Sequence, residues 1–129
     1  MIAVDTNILV RYFVGADDEE THRATKLIEQ TLSIDNQGYV AAVALCEIIW
    51  VMRDRYAFGY DAQIAIVQLM LAAGQIFLEH EGCVTAAIES QHPDIADAII
   101  HFIGAKQGCA KTVTFDKKFA RLSGVTLLE

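Results

Sequence analysis

The chain begins Met1-Ile2-Ala3-Val4-Asp5-Thr6-Asn7, and these seven residues decide how the rest is read. Ile2 and Val4 are aliphatic at alternate positions within an apolar run, which predicts a short buried strand. That strand stops on a carboxylate. Thr6 or Asn7 can then cap a helix running from Ile8 to about Val14. Ligands of open α/β sheets bind at the carboxyl ends of the strands, so Asp5 stands where chemistry is done. Asp-Thr-Asn is also an ordinary strand-to-helix turn, and Asp5 by itself does not separate the two readings.

Outward from this stretch, strands and helices alternate. Asp17 to Glu20 opens a helix to about Ser33, with Asp17 and Glu20 at the spacing of a capping box. A second strand is predicted over Tyr39–Val43, then a helix from about Ala44 to Tyr56 with Leu45, Ile48, Ile49 and Met52 as its buried stripe. Glu47 lies off that stripe. A further helix covers Asp61 to about Ala73, Ile76–Leu78 is a third strand, and a short helix ends near Glu89. His92-Pro93-Asp94 starts the next helix with Pro at its first position, and Ile95, Ala98, Ile99 and Phe102 form its buried face. Thr112–Thr114 is a fourth strand, a short basic helix carries Lys117, Lys118 and Arg121, and Val125–Leu128 is the last strand. Strands separated by helices require crossover connections. The expected architecture is one α/β domain over residues 1–129, with a central, mostly parallel sheet of four to five strands flanked by helices.

With 129 residues, 53% of them hydrophobic, and one Pro, the chain can bury a core without disulfide or structural metal. No apolar run reaches membrane-spanning length and no signal-peptide pattern opens the sequence, so a membrane role is not expected. Cys46, Cys83 and Cys109 are odd in number and lack metal-ligand spacing, which points to reduced thiols in the cytoplasm. The net charge of −7 counts against a nucleic-acid partner. The excess is uneven, because Lys106 onward holds five Lys or Arg against two acids. Cations bound by clustered acids would also invert the local field.

Four acids recur at comparable places: Asp5 after the first strand, Glu47 after the second, Asp97 in the helix that feeds the fourth, and Asp116 after that strand. Clustered carboxylates repel unless a hard cation such as Mg²⁺ or Mn²⁺ joins them, and that site can hydrolyse a phosphodiester. Unconnected strand-end acids are the competing reading. Asp94 shares a helix face with Asp97 and His101, and either assists a metal or serves the helix dipole. His101 reads as an ordinary helix or interface histidine. Thr6, Asn7 and Thr114 could orient the acids, or cap and pair locally. Arg11, Lys117, Lys118 and Arg121 could hold phosphates, although a basic face is more often only solvated. Trp50, Tyr56, Phe58 and Tyr60 read as core in preference to an interaction surface.

Four motifs in order resemble those of the PIN-domain ribonucleases, in particular the VapC-type toxins of toxin–antitoxin pairs. They are Val4-Asp5-Thr6-Asn7-Ile8-Leu9-Val10, Leu45-Cys46-Glu47, Asp94-Ile95-Ala96-Asp97-Ala98-Ile99-Ile100, and Thr114-Phe115-Asp116-Lys117-Lys118-Phe119-Ala120-Arg121-Leu122 with Gly124-Val125. The resemblance implies a Mg²⁺- or Mn²⁺-dependent endoribonuclease that cuts RNA by metal-activated water. Its acids fall on Asp5, Glu47, Asp97 and Asp116, with Asp94 as a variable extra acid. Several members of that family cut tRNA or a ribosomal RNA loop, and the resemblance further implies an RNA substrate, a VapB-like antitoxin that blocks the site, and a homodimer. A non-catalytic α/β binding module or a receiver-type signalling module is the alternative. The receiver pattern needs an acid pair after the first strand and a late-strand Lys, and Thr112-Val113-Thr114 has no Lys. A dinucleotide-binding module is excluded for want of Gly-x-Gly-x-x-Gly.

Overall fold

The N-terminal strand β1 (Ile2–Ala3) pairs in parallel with β2 (Gly38–Val40), and β2 pairs in parallel with β3 (Ile76–Leu78). The structure, a computed structural model, describes residues 1–129 and divides into two units, Met1–Glu79 and His80–Glu129. In the first unit the order β1-β2-β3 puts β2 in the centre, with Ile2 opposite Gly38 and Gly38 opposite Ile76. Parallel neighbours need crossovers, and helices supply them. Helices α1 (Thr6–Val14) and α2 (Glu19–Lys26) lie between β1 and β2, and α3 (Ala42–Tyr56) and α4 (Tyr60–Ala72) between β2 and β3. Gly38 is tightly packed: a Cβ there would lie 2.7 Å from Leu32 Cδ1 and 3.0 Å from Val4 Cγ2, so the Leu32 side chain would have to shift.

The predicted stripe of α3 holds, since Leu45, Ile48, Ile49 and Met52 are all buried. Removing one such side chain to Ala costs about 2–5 kcal/mol. The opposite side of α3 is not purely polar, because Val43 and Trp50 are exposed there. Trp50 and Tyr56 are surface residues, and Phe58 and Tyr60 are half-buried, so the aromatic group expected in the core lies at its margin.

Helix α2 starts later than the acid run suggests. Asp18 has the extended backbone of a cap and its Oδ1 accepts the Thr21 N–H at 2.8 Å, so Asp18 and not Asp17 is the cap. Asp17 Oδ1 instead meets His22 Nε2 at 2.9 Å. The helix widens into a π turn over Leu27–Thr31, closed by the Leu32 N–H on Leu27 O.

The second unit joins α5 (Glu81–Glu89) to α6 (Ile95–Lys106), whose Ile95, Ala98 and Ile99 are fully buried while Phe102 is half-buried. Its strands β4 (Thr112–Thr114) and β5 (Val125–Leu127) pair in parallel, with Thr112 opposite Val125. All five expected strands are therefore present and parallel, hydrogen-bonded as a set of three and a set of two. Strands of two or three residues carry too little pattern to specify their partners. His101 is buried, with Nδ1 2.8 Å from Thr112 Oγ1, and so ties α6 to β4. Gly124 turns the chain there at φ +87°, and a Cβ on it would meet His101 Cε1 at 2.9 Å. Cys46 and Cys83 are buried thiols and Cys109 is exposed. No helix is long and apolar enough to cross a membrane.

Candidate metal and nucleic-acid site

Asp5 is itself the N-cap of α1, with extended backbone (φ −75°, ψ 154°), and Thr6 is already helical. The cap expected at Thr6 or Asn7 is thus one or two residues earlier, because the turn out of β1 occurs at Asp5. Its side chain makes no capping hydrogen bond, so the carboxylate is left available. Glu47 stands off the buried stripe of α3 and is exposed. Asp5 and Glu47 line one pocket of about 290 Å³, together with Thr6, Asn7, Val10, Arg11, Val51, Arg55 and Tyr56. The sequence places these two acids 42 positions apart, and the fold of the first unit delivers both to one wall.

The cations of this pocket differ. Arg11 Nη1 lies 3.1 Å from Asp18 Oδ2 and its Nε 3.1 Å from Glu20 Oε2, so the charge expected to meet phosphate is shared by two acids. Arg55 has no ion-pair partner. It was legible in the sequence, since Glu47, Val51 and Arg55 follow the i, i+4, i+8 spacing of one helix face. Glu79 has a role that its sequence position did not suggest. Its Oε1 accepts the Ala42 N–H at 2.8 Å and so supports the start of α3. Its hydrogen bond with Tyr39, aided by partial desolvation, holds the Tyr39 hydroxyl above its usual pKa.

The second unit uses its acids differently. Asp94 is the N-cap of α6, its Oδ1 accepting the Asp97 N–H at 2.9 Å. Pro93 consequently precedes the cap and is not the first helical residue. Asp97 sits half-buried in the first turn. Asp116 follows β4, and its Oδ1 accepts the N–H of Lys118 at 2.8 Å and of Phe119 at 3.3 Å. The Asp116 N–H donates to Thr114 Oγ1 at 3.0 Å, a local contact between backbone and side chain within the turn. Lys117, Lys118 and Arg121 are exposed around the 3-10 turn Phe119–Arg121.

A sequence model of the PIN domain matches residues 2–125. The chain belongs to the PIN domain family. PIN domains are in general metal-dependent nucleases that act on RNA. A comparison with curated proteins found no significant match.

The donor chemistry of this PIN domain fits a divalent ion. No group of three or more His, Cys, Asp or Glu side chains stands together as a ready-made metal cage. Mg²⁺ does not ask for one, because it keeps several waters and binds through one or two carboxylates plus substrate phosphate. Asp5 and Glu47 supply two carboxylates, with the Asn7 side chain beside them, and no soft ligand lines the pocket.

Proposed function

We propose that the protein is a VapC-type endoribonuclease, acting in the cytoplasm as a homodimer on tRNA or a ribosomal RNA loop and restrained by a VapB-like antitoxin. The observation that carries this reading is the Asp5 and Glu47 pair, which lines one open pocket with the Asp5 carboxylate unused by its helix. Membership of a nuclease family and the order of the four motifs support the same reading.

In this mechanism Asp5 and Glu47 would hold Mg²⁺ or Mn²⁺; the order of the motifs assigns Asp97 and Asp116 the same role, with Asp94 as an extra acid. The bound ion supplies Lewis-acid polarisation of the phosphodiester and lowers the pKa of water. Thr6, buried at the start of α1, fixes the backbone that carries Asp5, and Asn7 offers its amide beside it. Thr114 fixes the turn that carries Asp116. Lys117, Lys118 and Arg121 attract the RNA backbone.

The test is incubation of total RNA with the pure chain and Mg²⁺ or Mn²⁺. A few discrete cuts with 5′-phosphate ends are expected, absent with EDTA and in Asp5→Asn. Equal cutting by Asp5→Asn would remove Asp5 from the site, and no cutting by the native chain under any metal would overturn the nuclease reading. Growth arrest on expression, relieved by an adjacently encoded small antitoxin, tests the toxin role.

A further inference from the structure

A nuclease of this kind must hold its substrate strand beside Asp5 and Glu47, and α3 carries a surface suited to that. A second hollow of about 330 Å³ is lined by Trp50, Val51, Asp54 and Arg55. Val51 and Arg55 also line the acid pocket, so Arg55 stands on the wall the two hollows share. Trp50 is 36% exposed and Tyr56 40%, which leaves two large rings open to solvent on the same helix. The charges facing these hollows are Asp5, Arg11, Glu47, Asp54 and Arg55. Asp54 is matched by Arg53, whose Nε lies 2.8 Å from its Oδ1. Arg11 is matched by Asp18 and Glu20. Arg55 is the cation left unmatched.

We propose that Trp50, Arg55 and Tyr56 form a platform for single-stranded RNA next to the acid pocket. Arg55 takes a backbone phosphate, and the two rings stack on unpaired bases. Aromatic rings bind single strands because a duplex keeps its bases stacked inside and offers no free face. The shallow form of the hollow suits a strand laid across it. The identity of the strand rests on the endoribonuclease reading, but its binding can be measured with no cleavage at all.

Trp50 is the single Trp of the chain, so intrinsic fluorescence reports this surface directly. The full chain is titrated with a short oligouridylate in EDTA, and with an RNA duplex of equal length. Saturable quenching of Trp50 by the single strand, and little by the duplex, is expected. Arg55→Gln should lower the salt dependence of log K by about 0.7 per decade, as for one lost phosphate contact, while Arg55→Lys restores most of it. Tyr56→Ala should weaken binding about five- to a hundredfold, and Tyr56→Phe little. All three side chains lie at the surface, and thermal melts confirm that the variants fold. Equal affinity of Arg55→Gln and the native chain, or equal quenching by duplex, overturns the proposal. So does a concentration-dependent blue shift of Trp50 without RNA, which would seat a second copy of the chain there. Binding without cleavage in Mg²⁺ sustains the platform and removes the nuclease reading. Cleavage with Trp50 silent and Arg55→Gln unchanged does the reverse.

Discussion

In the unit Met1–Glu79, Asp5 and Glu47 face an open pocket with no helix cap to serve, whereas in His80–Glu129 Asp94 and Asp116 bond their own backbone. Asp5, Asp94 and Asp116 sit at comparable points, after a strand or at the start of a helix, whereas Glu47 lies beyond the first turn of α3. What separates them is the next N–H. The Asp5 carboxylate makes no capping bond, while Asp94 meets Asp97 and Asp116 meets Lys118 and Phe119. A strand-end acid thus serves stability, chemistry or both, and its hydrogen-bond partner tells which part is already assigned.

Substituting the first pair should break the contrast most. Asp5→Asn and Glu47→Gln are expected to cut RNA cleavage by at least about a hundredfold, since even outer groups of a metal site cost 10–100-fold. Melting temperatures should change little, because neither side chain is buried or caps a helix. A large fall in melting temperature would put these acids in the structural class.

Each unit also holds a glycine on which a Cβ would lie under 3.0 Å from a neighbour, and the two should differ. Gly124→Ala combines a left-handed backbone at φ +87° with a 2.9 Å contact to His101, for an expected loss of about 2–4 kcal/mol. Gly38→Ala has the 2.7 Å contact with Leu32 Cδ1 but no positive φ, and should lose about 1–2 kcal/mol. Denaturant melts that reverse this order would show that the His101 side adapts more readily than the β2 core.

Much of this was written in the sequence. The stripe Leu45, Ile48, Ile49 and Met52 is a helix pattern, and Ile76–Leu78 and Thr112–Thr114 are found where β-branched and apolar runs put them. Strand partnership was not legible, because two- and three-residue strands have almost no alternation to register. Caps were legible only to within a residue: Asp17 and Asp18 are chemically alike, and backbone angles choose between them. Asp5 and Glu47, singled out by their positions in the sequence, line one pocket of the first unit. Arg55 was overlooked although its helix spacing to Glu47 was in plain view.

Asp94 offers a finer test. Asp94→Ala should cost about 1 kcal/mol, or roughly 3–5 °C in Tm, through the lost cap, and Asp94→Ser should restore it. If Asp94→Ser melts like the native chain yet cleaves poorly, Asp94 belongs to both classes. The smallest effect is expected at Asp18, whose pKa is held below 3.8 chiefly by hydrogen bonding from Thr21. A lowered native pKa means stability present above the unfolded value and lost as pH falls through the native one. Melting curves below pH 4 should therefore decline less for Asp18→Asn, which keeps the cap without the titration.

The three cysteines divide as two buried thiols and one exposed, Cys109. A maleimide dye will therefore attach to the His80–Glu129 half at one place, while the lone indole emits from the other half. The native chain thus comes with a donor and an attachment point for an acceptor, and energy transfer between them can time any relative motion as metal and RNA arrive.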